Sequence, residues 1–324
     1  DVYKRQKHKR CFIADQMGLG KTVQALATLL KLQAFPALIV VPASLKLNWL
    51  REASKWLPAV RKMEVLSGRK PLPIPRGTGI VIINYDILDA WQTTLIKWRP
   101  VALVLDESQY CKSGRTKRTK SARVIASCKT IRIRLLLSGT PVVNSPPDLI
   151  PQLIILDRLK DLGGYRAFVD RYCIPSSWGG FEKGGQHLDE LNARMRAGGM
   201  FIRRLKKDVL TELPDKRRAV VPMRLKNRRK YEQAQKRVSE KIAKARYERR
   251  CAEQEGRAPE GWAVAASVTG ITELRRVAAE CKMDSAMLWI REMIDAGEKL
   301  VIFGFHVDIV ERIARDLAPF NCQV

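Results

Sequence analysis

The sequence predicts an α/β fold built on a parallel, doubly wound sheet, and three observations carry that expectation. Short apolar runs alternate with helix-like stretches from residue 11 to about residue 155. Runs such as Leu38-Ile39-Val40-Val41 and Val101-Ala102-Leu103-Val104-Leu105 are apolar at every position, the pattern of strands covered by helices on both faces. A glycine-rich turn ending in Lys21-Thr22 stands between the first apolar run and the first helix-like stretch. In such sheets, ligands bind at the carboxyl ends of the strands.

Taken in order, strands are expected at residues 11–14, 37–41, 80–83, 101–105 and 134–137. Helices are expected between them at 21–33, 44–56, 86–97 and 118–127. After Pro146 the alternation stops, and the chain reads mostly helical to about residue 250, broken by Trp178-Gly179-Gly180 and Gly184-Gly185. A long charged helix over 226–253 runs into the turn-like Glu255-Gly256-Arg257-Ala258-Pro259, and a helix pair covers about 271–296. Residues 299–303 then read as a buried strand with a helix over 307–317 behind it, the opening of a second α/β unit. The resulting division is 1–155, 156–270 and 271–324. No internal repeat or low-complexity segment interrupts it.

Composition narrows the function classes. An apolar fraction of 46% supports packed cores. Sixty Lys and Arg against 33 Asp and Glu leave a formal charge of +27. A field of that size favours polyanionic partners, nucleic acid before anionic membrane. No apolar run approaches the ~18 residues of a membrane span, and the basic start lacks the apolar core of a secretory leader. Seven cysteines without C-x-x-C spacing indicate reduced thiols in an intracellular protein and no zinc site. His8, His187 and His306 lie too far apart in sequence to suggest a metal cluster.

The chemistry-bearing residues follow the strands. Asp15-Gln16-Met17-Gly18-Leu19-Gly20-Lys21-Thr22 reads as a phosphate-binding loop. Its glycines let backbone N–H groups converge on phosphate oxygens, Lys21 reaches the β- and γ-phosphates, and Thr22 ligates Mg²⁺. Asp15 stands where the usual pattern has its first glycine. The helix behind the loop points its positive end at the same anion. Asp106-Glu107 closes the run 101–105. There Asp106 can hold Mg²⁺, and Glu107 can orient and deprotonate the water that attacks the γ-phosphate. Ser138-Gly139-Thr140-Pro141 ends another strand, with hydroxyls placed to couple the phosphate site to neighbouring surfaces.

Three features keep two readings each. Pro42-Ala43-Ser44-Leu45 opens a helix, with Ser44 either an N-cap or part of a phosphate-gripping helix start. Asn84-Tyr85 is either a plain turn or a backbone contact for nucleic acid. The basic stretch at 201–209 is partly a solvated face and partly a candidate for non-specific phosphate binding. Trp49 and Trp56 read as core anchors.

Together these residues resemble the superfamily 2 helicase-like ATPases, and among them the Swi/Snf-type DNA translocases. The order carries the resemblance: the loop ending in Gly18-Leu19-Gly20-Lys21-Thr22, then Val40 to Leu45, then Asp106-Glu107-Ser108-Gln109, then Leu135 to Pro141. Arg203-Arg204-Leu205-Lys206-Lys207-Asp208-Val209 and Leu213-Pro214-Asp215-Lys216 are similar to the hallmark of the Swi/Snf group. Asp106 to Lys112 and the Leu-Pro-x-Lys segment lean towards its annealing-helicase-like branch and prokaryotic relatives. The resemblance implies a RecA-like lobe, a helical insertion and the start of a second RecA-like lobe. It implies an ATP- and Mg²⁺-dependent, DNA-stimulated ATPase that moves along double-stranded or branched DNA, and leaves room for protein subunits as partners. On the same grounds Gln109 would relay between nucleotide and DNA, together with Ser138, Gly139 and Thr140. Pro42, Ser44, Tyr85 and Lys112 would lie along the DNA path. The adenine-reading glutamine segment and the downstream arginine fingers of the family are not matched, so residues 1–324 alone are expected to hydrolyse ATP poorly. A strand-separating DNA or RNA helicase, or a basic DNA-binding scaffold with a relict nucleotide site, are the alternative readings.

Overall fold

The computed structural model describes residues 9–139, 145–176, 180–182, 184–214, 216–254 and 261–320. The chain falls into two compact units, Asp1–Pro214 and Asp215–Val324.

The first unit is a seven-stranded, wholly parallel sheet. Its strands are β1 (Arg10–Ile13), β2 (Ala37–Val41), β3 (Met63–Val65), β4 (Ile80–Asn84), β5 (Ala102–Leu105), β6 (Ile133–Leu137) and β7 (Phe201–Ile202). They lie in the order β3-β4-β2-β5-β6-β1-β7. The helices α1 (Lys21–Lys31), α2 (Lys46–Trp56), α3 (Leu88–Trp98), α4 (Lys117–Ala126), α5 (Ile150–Leu156), α6 (Gly164–Tyr172), α7 (Leu188–Ala197) and the single turn α8 (Lys206–Val209) complete it.

The all-apolar strands sort their side chains to two faces by alternation. Phe12, Leu38, Val40, Val81, Ile83, Leu103, Leu105 and Leu136 enter one core, shared with Trp91 and Leu95 of α3, Ile125 of α4 and Phe168 of α6. Cys11, Ile13, Ile39, Val41, Ile82, Val104 and Leu135 enter the other, shared with Leu26 and Leu29 of α1 and Trp49 of α2. Both cores are buried and apolar, which fixes the register: a one-residue slip would exchange every side chain between them.

Five strands and four helices stand where the apolar runs place them. Two strands were not anticipated. β3 has three residues and β7 two, too few for alternation to register. β7 nevertheless draws the chain after α7 onto the sheet, through Phe12 N–H to the Met200 carbonyl (2.7 Å) and Ala14 N–H to the Ile202 carbonyl (2.7 Å).

In the second unit α9 (Arg228–Gln254) and α10 (Gly261–Asp295) run antiparallel, tied by Lys230–Glu280 and Lys241–Glu273. The expected helix pair at 271–296 is part of this one helix, because that stretch contains no glycine or proline to end it. α11 (Val307–Leu317) packs Ile309 and Leu317 against Met283, Met287 and Ile290. The strand expected at 299–303 does not form: Val301 is 80% and Phe303 92% exposed. A buried parallel strand needs ladder partners, and the described residues of this unit contain no other strand. No helix among the described residues is long and apolar enough to cross a membrane.

Candidate nucleotide-binding site

The carboxyl ends of β1, β6 and β5 are consecutive in the sheet, and they bring the predicted residues together. Behind β1 the chain turns through Gly18 (φ +87°) and Gly20 (φ +69°), both in the left-handed region that glycine enters without strain. α1 then begins at Lys21 with no side chain capping it and no acid in its first turn, which suits a helix start aimed at an anion. Lys21 and Thr22 are half-buried in that turn.

Lys21 lies among the acids. Its Nζ donates to the Asp15 carbonyl at 3.0 Å. Burial lowers the ammonium pKa below its ordinary value, opposed by the charges of Glu107, Asp106 and Asp15 and reinforced by Arg203. From β6, Gly139 approaches so closely that a Cβ there would stand 2.8 Å from Met17 Cγ and 3.8 Å from Lys21 Nζ. Glycine at this position keeps the loop and strand end in contact.

Asp106 is buried at the end of β5 and held from two sides. Trp49 Nε1 donates to its Oδ2 at 2.7 Å, and the Glu107 N–H donates to Oδ1 at 2.9 Å. Each oxygen retains a lone pair for a cation or its water shell. Burial raises the Asp106 pKa above the ordinary carboxylate value; the Trp49 bond lowers it and the Glu107 charge raises it again. Ionised Asp106 is therefore a cost to the ligand-free fold, one that sets in as pH rises past the ordinary value. Asp106→Asn is expected to raise the melting temperature of the ligand-free chain at neutral pH, by the few degrees that about 1 kcal/mol gives a domain of this size. Differential scanning calorimetry checks this.

Glu107 takes a left-handed conformation at φ +47°, uncommon for a residue with a Cβ. Its carboxylate accepts from Gln109 Nε2 at 2.6 Å, and Gln109 Oε1 accepts from Ser138 Oγ at 2.8 Å. One side-chain chain thus joins the ends of β5 and β6 through Gln109 and Ser138. Thr140 lies outside the described residues.

The proposed DNA residues form a neighbouring row. Pro42 and Ser44 follow β2, Tyr85 follows β4 and Lys112 follows the turn after β5, at the carboxyl ends of three adjacent strands. Ser44 and Lys112 are exposed. Tyr85 is not: it is 2% exposed, and its hydroxyl donates to the Asp106 carbonyl at 2.6 Å while its ring stacks on Tyr110. Only its backbone remains for a contact. Ser44 is no N-cap, because a 3-10 turn over Ala43–Leu45 leads into α2 and no side chain caps either. Trp49 is the expected core anchor, but Trp56, the last residue of α2, is 44% exposed and donates to Glu52.

Asp15 was expected as part of the loop, but the side-chain partners that hold Asp15 and Asp106 carried no signal in the sequence pattern. Asp15 is fully buried, and its carboxylate faces Arg204, which donates from its backbone N–H (2.9 Å), from Nε (3.2 Å to each oxygen) and from Nη2. Gln24 of α1 bonds the same carboxylate at 2.9 Å and the Leu19 carbonyl at 2.6 Å. An acid replaces the usual first glycine because it anchors the loop to the segment after β7. Trp49 and Gln24 belong to helices whose apolar periodicity masks them.

A sequence model described as the SNF2-related domain matches residues 2–283. The SWI/SNF-related matrix-associated actin-dependent regulator of chromatin subfamily A-like protein 1 homolog of Caenorhabditis elegans is 34% identical over 226 residues, 68% of this chain and 32% of that protein. The human DNA annealing helicase and endonuclease ZRANB3 is 31% identical over 239 residues, 69% of this chain and 22% of that protein. The chain thus spans about a third or less of the length of these relatives. Its fold is that of the solved Sulfolobus solfataricus SWI2/SNF2 ATPase core in complex with dsDNA, at TM-score 0.52 and 22% identity over 99% of this chain and 68% of that one. The chain belongs to the SNF2-related domain family, with a parallel RecA-like sheet as its core.

Proposed function

We propose that this chain is the ATP-binding part of a DNA-stimulated ATPase that moves along duplex DNA. The observation that carries the reading is the convergence of Lys21, Asp106 and Glu107 from separate strand ends, with Gln109 and Ser138 bonded behind them. The donor set suits a magnesium-bound triphosphate: a lysine and an uncapped helix start for phosphate oxygens, and a hydroxyl and a buried carboxylate for the cation. Bound Mg²⁺ would supply charge neutralisation on the phosphates. Thr22 and Asp106 would hold it.

The remaining work falls to this chain's own side chains. Lys21 binds the phosphate tail, and the backbone from Asp15 to Gly20 cradles it. Glu107 orients a water and takes its proton at the carboxylate. Gln109 fixes that carboxylate through its amide nitrogen, so a shift of Ser138 or of the turn leading to Lys112 alters where Glu107 points. Such a linkage makes hydrolysis responsive to whatever touches the surface at Pro42, Ser44, Tyr85 and Lys112. The +27 charge of the chain supports a polyanionic partner, and a relative named as a DNA annealing helicase and a like-folded ATPase core solved with dsDNA support duplex DNA.

ATP turnover measured with duplex DNA, single-stranded DNA and RNA tests this, alongside a strand-displacement assay. Duplex DNA is expected to stimulate most, without strand release. Preferential stimulation by RNA, or strand release, would favour a helicase. Turnover unaffected by any nucleic acid would favour a scaffold.

A further inference from the structure

The basic stretch after β7 is read from sequence as a solvated face or a non-specific DNA contact. Its position is different. Because β7 lies parallel to β1, the residues that follow it run beside the glycine-rich loop: Gln16 N–H donates to the Arg204 carbonyl at 3.1 Å, and Lys206 N–H donates to Gln16 Oε1 at 2.7 Å. Lys206 Cε and Nζ stand 3.2 and 3.3 Å from where a Cβ on Gly18 would be. Arg203 Nη1 bridges the Ala14 and Gly139 carbonyls at 3.3 Å each.

Of the two lysines at the loop, Lys21 already has the charges of Glu107, Asp106 and Asp15 around it. Asp15 is taken up by Arg204. Lys206 is half-buried, and no ion pair places a carboxylate against it among the described residues. Two cations, Lys206 and Lys21, therefore flank one loop whose glycines bring backbone N–H groups together, with Arg203 beside Lys21. Like charges gathered in this way repel unless an anion joins them. Nothing comparable draws Lys206 towards the exposed row at Ser44 and Lys112, which lies at the ends of β2 and β5 on the far side of β6 and β1 from β7.

We infer that Lys206 is a phosphate-binding residue of the nucleotide site, contributed from the segment after β7 and held over Gly18 by the Gln16 and Arg204 contacts. The inference rests on the ATP-site reading above and assigns a second lysine to it. Since β7 adds to the sheet edge beside β1, the loop is walled on both sides, and the segment Arg203–Lys206 serves the nucleotide instead of DNA.

The test is equilibrium binding of Mg-ATP and of a duplex oligonucleotide to Lys206→Met, Lys206→Arg and Lys21→Ala. Lys206→Met is expected to weaken Mg-ATP binding about tenfold, the loss expected for one charge-assisted contact that solvent partly screens. Lys206→Arg should restore most of it, and duplex affinity should hold. A structural role alone would not give rescue by the second cation with an unchanged melting temperature. The inference is overturned if Lys206→Met binds Mg-ATP like wild type while Lys21→Ala does not, which leaves the ATP site standing. It is equally overturned if Lys206→Met loses duplex affinity and keeps Mg-ATP affinity. Wild-type binding by Lys21→Ala as well would overturn both readings.

Discussion

Glu107→Gln is expected to bind Mg-ATP as wild type does and to hydrolyse it about 10²–10⁴-fold more slowly, the range for loss of a positioned general base. The amide keeps the volume and the left-handed turn at Glu107, and one of its atoms can still accept from Gln109 Nε2. What it loses is the ability to take a proton. Lys21, the loop backbone and Asp106 are untouched, so affinity should hold within a few-fold. Single-turnover hydrolysis alongside equilibrium nucleotide binding separates the two effects. A variant that hydrolyses ATP at the wild-type rate would remove Glu107 from the chemistry and favour the scaffold reading.

Asp15→Ala is expected to destabilise the first unit by roughly 2–3 kcal/mol and lower its melting temperature by about 4–12 °C. Asp15 is fully buried, so removing it takes away the carboxylate that faces the Arg204 guanidinium and one of the two acceptors of the Gln24 amide, while Arg204 Nη2 keeps Gln24 Oε1 at 2.8 Å and Gln24 Nε2 keeps the Leu19 carbonyl. Arg204 is 32% exposed, and water can recover part of that loss, which places the cost below that of a fully buried pair. The pH dependence has a definite sign. Burial alone would raise the Asp15 pKa, but the hydrogen bonds from Arg204 and Gln24 and the Arg204 charge outweigh it and hold the carboxyl below its ordinary value of 3.8. Its contribution is present above that value and lost as pH falls through the lower folded value. Chemical denaturation from pH 7 down to the acid limit should show wild type losing stability over that window, and Asp15→Asn with a flatter profile. Identical profiles would mean the pair contributes nothing.

The sheet was legible in the sequence for a simple reason. Strands buried on both faces leave short runs that are apolar at every position, such as residues 101–105, and here these runs alternate with helix-like stretches. The same logic placed the loop behind β1 and the acids behind β5, since each follows an apolar run directly. What escaped was set by pairing between distant segments. β7 is two residues long, yet it decides that Arg203, Arg204 and Lys206 lie against the phosphate loop. The Asp15–Arg204 contact spans 189 residues, and no local pattern encodes it. Trp49 read as core and is core, but its indole N–H also fixes Asp106. The strand expected at 299–303 failed in the opposite way: an apolar run is a necessary sign of a buried strand, but the ladder needs a partner.

The central claim, that Lys21 and Asp106 serve a single metal-bound triphosphate, is tested most directly by nucleotide affinity. ATP binding should be measured with and without Mg²⁺ in wild type, Lys21→Ala and Asp106→Asn. Magnesium should strengthen binding in wild type. Lys21→Ala should weaken it under both conditions, and Asp106→Asn should abolish only the gain from magnesium. Wild-type affinity in both variants at saturating Mg²⁺ would contradict the claim.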